Sequence, residues 1–233
     1  MKRIDAYVSV VLLLMILAGC GVTAKMIAAK SQSERADVFT EVTDTGAKPQ
    51  GYVDLAVKAN IKTHVEGYHS DESGKSLHGK PGYPFVLNID GQAVVWKVDG
   101  QKDVDPLYDE QGNTSRDPEA GTGVSYILEK KIRLREGAHK VFFVLPEDDY
   151  IVDVEITLRN GEEAVLEFKP LYWHKHIPYH IPTFLKGVRK YDIYFNGVKM
   201  SWRGQAGEKN RKNLFMIRSR DLAKAYIENR AEL

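Results

Sequence analysis

The stretch that decides the fold is Phe85-Val86-Leu87-Asn88-Ile89-Asp90-Gly91-Gln92-Ala93-Val94-Val95-Trp96-Lys97-Val98. Two runs rich in β-branched and aromatic residues flank the dipeptide Asp90-Gly91. This dipeptide is typical of a type I′ turn, because both central residues of that turn need a positive φ. The stretch therefore predicts a β-hairpin.

Apolar and polar residues alternate on both sides of this hairpin, and the alternation predicts further strands. The pattern runs over 53–61, 126–134, 141–145, 152–158 and 165–168. Asn160-Gly161 and Asn196-Gly197 predict a second and a third hairpin, with 165–168 as the return strand of the second. Residues 99–123 are rich in Asp, Gly and Pro and predict a long polar loop.

These signals predict a mainly β fold, an antiparallel immunoglobulin-like sandwich over residues 51–204. A parallel α/β fold would need helices between the strands, and the sequence has no helical pattern there. Residues 205–233 form a C-terminal helical segment in this interpretation. Ser219 is suited to cap a helix that ends near Arg230. Its apolar stripe would cover a sheet edge or dock a partner.

The N-terminus predicts export. Lys2 and Arg3 precede an apolar run that starts at Ala6, as in a secretory signal peptide. The run is shorter than the roughly 20 residues of a membrane-spanning helix. Residues 1–19 are therefore predicted to be removed. Residues 20–50 have little strand patterning and predict a tether with a short helix near 22–29.

Leu17-Ala18-Gly19-Cys20 ends this run and resembles the lipobox of bacterial lipoproteins. The resemblance implies that Cys20 carries a covalent lipid such as palmitate, with cleavage just before it. A plain signal peptide and a signal anchor are the alternatives. Gly21, where an Asp usually retains a lipoprotein at the inner membrane, favours the outer membrane if the organism is Gram-negative. Since Cys20 is the only cysteine, its lipidation excludes disulfides and thiolate sites.

The stretch Arg135-Glu136-Gly137-Ala138 resembles the motif that opens a PEGA domain, a small immunoglobulin-like sandwich of exported bacterial proteins. The similarity covers about residues 125–169, and Arg135 departs from the family's proline. Leu134 and Val141 are predicted to point into the core, with Gly137 at the turn. The resemblance implies a structural or interaction module without catalytic residues.

The densest histidine cluster lies in residues 173–180 and is a candidate metal site. His174 and His176 would share one face of a strand, roughly 6.6 Å apart along it. Trp173 and Tyr179 beside them are candidate binding aromatics for a sugar or a protein, with burial in the core as the alternative. The other histidines, His64, His69, His78 and His139, are interpreted as scattered.

The sequence disfavours two further function classes, calcium binding and nucleic-acid binding. Asp103, Asp105 and Asp109 could hold Ca²⁺, but the order of an EF-hand loop is absent and a solvated acidic loop is favoured. The chain has 33 basic and 32 acidic residues, a balance that argues against nucleic-acid binding.

The motifs of serine hydrolases, P-loop enzymes, zinc proteases and dinucleotide-binding enzymes are missing. The sequence therefore predicts no catalytic residues and no cofactor besides the lipid. The predicted function is a non-catalytic binding or assembly module of the cell envelope, anchored to a membrane and contacting an envelope protein or glycan. The alternative is an envelope metal-binding protein or enzyme that uses His174 and His176.

Overall fold

The computed structural model describes residues 20–43, 48–70, 72–106, 108, 110–113, 115–161, 163–173, 183–201 and 203–206. The described chain is mainly β. It contains the helix α1 (Cys20–Lys30), the strands β1 (Phe39–Glu41), β2 (Tyr52–Thr63), β3 (Tyr83–Ile89), β4 (Gln92–Val98), β5 (Gln101–Asp105), β6 (Gly121–Arg135), β7 (Gly137–Leu145), β8 (Tyr150–Leu158), β9 (Ala164–Tyr172), β10 (Val188–Phe195), β11 (Val198–Lys199) and β12 (Arg203–Ala206), and a 3₁₀ turn at Thr183–Lys186.

The strands form two sheets. The larger sheet has the order β1-β6-β2-β9-β10-β11, with β5 on the same side of β6 as β1 but at its other end. The smaller sheet has the order β12-β8-β7-β3-β4. The chain crosses between the sheets after β2, β4, β6, β8 and β11. The connection after β2, residues 64–82, positions the site described below.

One apolar core fills the space between the two sheets. The alternation of β2 places Val53, Leu55 and Val57 wholly inside. Phe143 of the smaller sheet stacks on Phe168 of the larger sheet, with ring centroids 4.1 Å apart. Each such buried side chain contributes about 1.5–3 kcal/mol of hydrophobic free energy. The sheets are therefore two faces of one core.

The helix α1 packs on the outer face of the smaller sheet. Ile27 is buried there with Val86, Val144 and Ile151. The ammonium of Lys30 lies 4.6 Å from the centroid of the Phe142 ring. A helix was expected near 22–29 as part of a tether, but the described part of this segment lies on the folded body. The reason is that Ile27 has an apolar sheet face to cover.

Two of the three hairpin predictions are confirmed. β3 pairs with β4 around Asp90-Gly91, and β10 pairs with β11 around Asn196-Gly197. Both residues of each dipeptide have positive φ, as a type I′ turn requires. The hairpin predicted at Asn160-Gly161 is wrong. There the chain leaves β8 in the smaller sheet and enters β9 in the larger one.

The sandwich departs from a purely antiparallel one. β9 lies between β10 and β2, and its pairing with β2 is parallel from Leu55↔Ala164 to Ala59↔Phe168. The prediction of an uninterrupted loop over 99–123 is also wrong, because β5 pairs with β6 from Gln101↔Ser125 to Asp105↔Gly121.

The predicted helix from Ser219 to Arg230 lies outside the described residues. In the part of the chain that the structure covers, no helix has the length and apolar character to cross a membrane.

Candidate functional site

A buried cluster of histidines and carboxylates lies where the chain passes from β2 to β3. His64 directly follows β2, Glu72 lies in the middle of the connection, and His78 lies just before β3. One ligand atom from each of these three residues lies within 4.8 Å of the other two. The interpretation of His64 and His78 as scattered is therefore wrong, since the connection folds back and joins them.

The Glu72 carboxylate lies between the two imidazole rings. Its Oε1 is 2.9 Å from Nδ1 of His78, and its Oε2 is 3.4 Å from Nε2 of His64. The hydroxyl of Ser76 donates a hydrogen bond to Oε1 of Glu72 at 2.6 Å, which fixes the carboxylate. The three side chains thus present two nitrogens and a carboxylate toward one point.

The outer nitrogen of each histidine has an acceptor of its own. Nδ1 of His64 is 2.9 Å from the carbonyl oxygen of Val65. Because a carbonyl only accepts, His64 carries a proton on Nδ1, and its Nε2 has a free lone pair when the ring is neutral. Nε2 of His78 is 3.5 Å from Oδ2 of Asp148 in the turn after β7. A histidine that binds a metal typically donates its other N–H to a carbonyl or carboxylate in this way.

Asp148 is itself held in place by the core. It accepts a hydrogen bond from the hydroxyl of Tyr83, a fully buried side chain at the start of β3. Burial and the nearby Asp148 carboxylate raise the pKa of Tyr83 well above its usual value, so the phenol stays protonated and donates. Residues of the smaller sheet and its β7–β8 turn therefore orient His78.

Without a metal ion, His78 is a cation between two carboxylates. Burial lowers the pKa of His78, but the Asp148 and Glu72 carboxylates outweigh it and raise the pKa to about 10. Burial raises the pKa of Glu72, but the hydrogen bonds from His78 and Ser76 outweigh it and lower the pKa to about 2. Burial lowers the pKa of His64, which is therefore neutral at pH 7.

A cavity of about 30 Å³ adjoins the cluster. Its walls include His64, His69, His78 and Asp148, with Phe184 of the 3₁₀ turn among the apolar residues. A cavity needs roughly 10–15 Å³ to hold one water molecule. The space is therefore suited to a water molecule or a single ion.

A second polar cluster lies nearby and explains the acidic loop. The ammonium of Lys62 has no exposed surface and lies 2.9 Å from Oδ2 of Asp103 and 3.0 Å from Oδ2 of Asp105. It also donates to the carbonyl oxygen of Glu119 at 2.7 Å. The Asp103 and Asp105 carboxylates considered as Ca²⁺ ligands thus already contact a cation of the chain. Asp109 lies outside the described residues.

The other sequence candidates have different positions. Cys20 is the first residue of α1. Trp173 directly follows β9, half-buried, and its backbone N–H donates to the carbonyl of Gly187 at 3.1 Å. The guanidinium of Arg189 lies 5.9 Å from its ring centroid. His174, His176 and Tyr179 lie outside the described residues, so the site predicted from them stays a prediction.

The signal that could have revealed the buried site is spacing. His64, His69, Glu72 and His78 all lie in one short connection between two strands, although no named motif covers them. No family model, no curated protein and no solved structure matches this chain. The function of the chain is therefore inferred from its own residues.

Proposed function

We propose that this protein is a lipid-anchored protein of the cell envelope whose folded body binds a divalent transition-metal ion through His64, Glu72 and His78. It acts as a non-catalytic binding or assembly module. The observation that carries the metal proposal is that one ligand atom each of His64, Glu72 and His78 lie within 4.8 Å of one another. The Glu72 carboxylate faces Nε2 of His64 and Nδ1 of His78, and the outer nitrogens already face Val65 and Asp148.

The donor set and its spacing suit zinc. Zinc binds histidine nitrogen and carboxylate oxygen at about 2.0–2.2 Å in tetrahedral sites, which places neighbouring ligands roughly 3.3–3.5 Å apart. The Glu72–His64 distance of 3.4 Å lies in this range, and the Glu72–His78 distance of 2.9 Å needs a small widening. Two imidazoles and a carboxylate also suit copper, whereas Ca²⁺ and Mg²⁺ prefer oxygen ligands alone.

The anchor proposal rests on the sequence of the N-terminus. Lys2, Arg3 and the apolar run have the layout of a signal peptide, and Leu17-Ala18-Gly19-Cys20 resembles a lipobox. One acyl chain holds a protein marginally and two hold it firmly. The α1 helix begins at Cys20 and packs on the smaller sheet through Ile27, so a lipid on Cys20 would hold the folded body close to the bilayer, in the outer membrane of a Gram-negative cell.

The module itself is proposed to be immunoglobulin-like, with the PEGA-like stretch over residues 125–169 as part of it. Two facing sheets, one shared core and a chain that crosses repeatedly between the sheets support this. Leu134 and Val141, which flank the motif, are wholly buried, and Gly137 has a φ of +132°. The parallel pairing of β2 with β9 is the departure from that layout.

The metal proposal is tested on the full mature protein in detergent micelles by zinc titration calorimetry and by the metal content after dialysis. We expect one zinc per chain, and we expect His78→Ala and Glu72→Gln each to weaken binding at least 100-fold. His139→Ala is the matched control, because His139 pairs with Asp90 elsewhere on the fold at 2.7 Å. Near-UV circular dichroism verifies that each variant is folded.

Equal zinc affinity in wild type, His78→Ala and Glu72→Gln would overturn the proposal. A double variant, His174→Ala with His176→Ala, tests the alternative site. Loss of zinc binding in this double variant alone would assign the metal to 174–176 and would equally overturn the proposal. Unchanged zinc affinity in the double variant supports the assignment to His64, Glu72 and His78.

The anchor proposal is tested by mass spectrometry of the mature protein and by fractionation of the cells. We expect an N-terminal Cys20 with an acyl mass and a protein that sediments with membranes, whereas Cys20→Ser is released. An unmodified Cys20 thiol in protein isolated from its own cells would overturn this part of the proposal. Co-purification after cross-linking in intact envelopes would then identify the protein or glycan that the module contacts.

A further inference from the structure

We propose that His69 is the fourth ligand of the metal ion, and that the complete set makes a closed structural centre that fastens the β2–β3 connection (residues 64–82) to the sandwich. This inference rests on the metal binding proposed above. It adds the fourth ligand and the role of the ion, which is to order this connection.

The position of His69 supports this assignment. Its ring meets the His64 ring edge to face, with centroids 4.7 Å apart. It lines the same cavity as His64 and His78. His69 is half-buried and lies in the loop itself, and in the proposed centre its side chain rotates to another rotamer that brings a ring nitrogen to the ion.

The sequence spacing agrees with a structural centre. The four side chains follow one another in a single connection, separated by four, two and five residues. Structural zinc sites have four protein ligands with short spacings of this kind, whereas catalytic zinc sites keep one position for water or substrate. The cavity of about 30 Å³ has room for an ion.

The burial pattern of the connection shows what an ion would add. Among its described residues, those buried are His64, Ser76 and His78, and all three are polar members of the cluster. Val65 and Leu77 are only half-buried, and Tyr68 is exposed. The connection therefore has almost no apolar core of its own to offset the conformational entropy of ordering it. Coordination of a metal ion supplies such free energy directly.

The two ends of the connection are held together by close packing of their backbones. Gly79 has a φ of +74°, and a Cβ atom placed there would lie 2.2 Å from the backbone nitrogen of Glu66. The N–H of Gly79 also donates to Oγ1 of Thr63 at 3.2 Å. The ends of the connection are thus held together without a metal, and the ion fastens the segment between them.

Cobalt substitution tests the fourth ligand. We expect the wild-type protein loaded with Co²⁺ to show the strong visible bands of tetrahedral cobalt. His69→Ala should shift and weaken these bands and lower zinc affinity by about 10- to 1,000-fold while His64, Glu72 and His78 still hold the ion. His139→Ala should match wild type. A cobalt spectrum and zinc affinity unchanged in His69→Ala would overturn the inference while the metal proposal stands; absence of metal binding in wild type would overturn both.

Limited proteolysis tests the role of the ion. Lys75 is exposed in the connection, so trypsin can cut there when the segment opens. We expect zinc to slow this cut at least 10-fold in wild type and far less in His69→Ala, with Lys75→Gln identifying the cut by abolishing it. An equal rate of cleavage at Lys75 with bound zinc and with chelator would overturn the structural role.

Discussion

Lys62 and His64 are two residues apart at the end of β2, and each lies beside carboxylates, yet the two clusters differ in their cation. The Lys62 ammonium contacts Asp103, Asp105 and the Glu119 carbonyl, all within 3.0 Å. In the neighbouring cluster, the cation is the protonated imidazole ring of His78, which lies between Glu72 and Asp148. A lysine cation is part of the chain, whereas a proton on a histidine can be exchanged for a metal ion. The first cluster is therefore a structural ion pair and the second is a candidate site.

The largest effect is expected from a change in the backbone of the connection that carries the histidine cluster. Gly79→Ala would place a methyl group against the backbone of Glu66, at a positive φ as well. We expect a loss of about 3 kcal/mol or more of unfolding free energy, together with weakened zinc binding. Urea unfolding measures the first and calorimetry the second.

Gly67→Ala is the matched control for Gly79→Ala. Gly67 also has a φ of +74°, but no atom lies within 4 Å of a Cβ placed there. Only the conformational cost of about 1–2 kcal/mol applies. Equal losses in the two variants would contradict the close approach at Gly79.

The next prediction removes the internal cation. Lys62→Met keeps the apolar stem but leaves Asp103 and Asp105 without the ammonium, and we expect a loss of about 2–3 kcal/mol. The loss is below that of a fully buried pair, because the two carboxylates are 33% and 47% exposed. Ca²⁺ should restore part of the stability in this variant alone, as a thermal melt with and without Ca²⁺ would show.

Lys58→Met is the control for Lys62→Met. Lys58 pairs with Glu129 at 3.1 Å on the surface, with both side chains about half exposed or more. Exposed pairs contribute about 0–1 kcal/mol, so little change is expected. If Ca²⁺ stabilises wild type as much as it stabilises Lys62→Met, the Lys62 ammonium does not prevent Ca²⁺ from binding to Asp103 and Asp105.

The third prediction concerns how the site is oriented. Asp148→Asn keeps the shape of the side chain but weakens its hold on Nε2 of His78. Such outer partners change metal affinity by about 10- to 100-fold, which corresponds to about 1.4–2.7 kcal/mol. Zinc titration of Asp148→Asn against Asp153→Asn, on the outer face of β8, measures the effect. Equal affinities would show that Asp148 does not orient the ligand.

The smallest effect is the pH dependence of stability without metal. The raised pKa of His78 contributes stability that is full below pH 6.5 and is lost as the pH rises toward 10. The lowered pKa of Glu72 contributes stability that is full above pH 4.5 and is lost as the pH falls toward 2. We therefore expect His78 and Glu72 to stabilise the fold most between about pH 4.5 and 6.5, and the lowered pKa of His64 to move the maximum toward the upper end of this window.

Urea unfolding at a series of pH values measures this profile, and His78→Gln should remove the decline between pH 6.5 and 10. Zinc should reverse the slope in wild type near pH 6–8, because a metal ion competes with the proton on His78. A wild-type profile that zinc leaves unchanged would show that the cluster is only an ion pair.

Particular elements show how far the sequence could be interpreted. Asp90-Gly91 and Asn196-Gly197 were predicted correctly because a hairpin turn is fixed by the φ preferences of two residues. Asn160-Gly161 has the same local chemistry, yet β8 and β9 belong to different sheets. Strand β9 pairs with β2, far away in sequence, because Leu166 and Phe168 are buried in the core shared by both sheets.

The candidate site was missed for the same reason. A periodic pattern reveals neighbours on one strand, but His64, Glu72 and His78 lie in an irregular connection without a period. Asp148, which orients His78, comes from a turn 70 residues later in the chain. Lys62 was likewise hidden, since the alternation of β2 predicts that it faces solvent, whereas Asp103, Asp105 and Phe184 cover it.

The sequence by itself determined where most strands run, two of the three turns, and the position of a single cysteine after an apolar N-terminal run, because these depend on a few adjacent residues. The tertiary structure alone decided which strands share a sheet, that α1 covers the smaller sheet, and that two histidines and a glutamate meet beside Asp148. Such contacts depend on packing between residues far apart in the chain, and they cannot be inferred from the local alternation of apolar and polar residues.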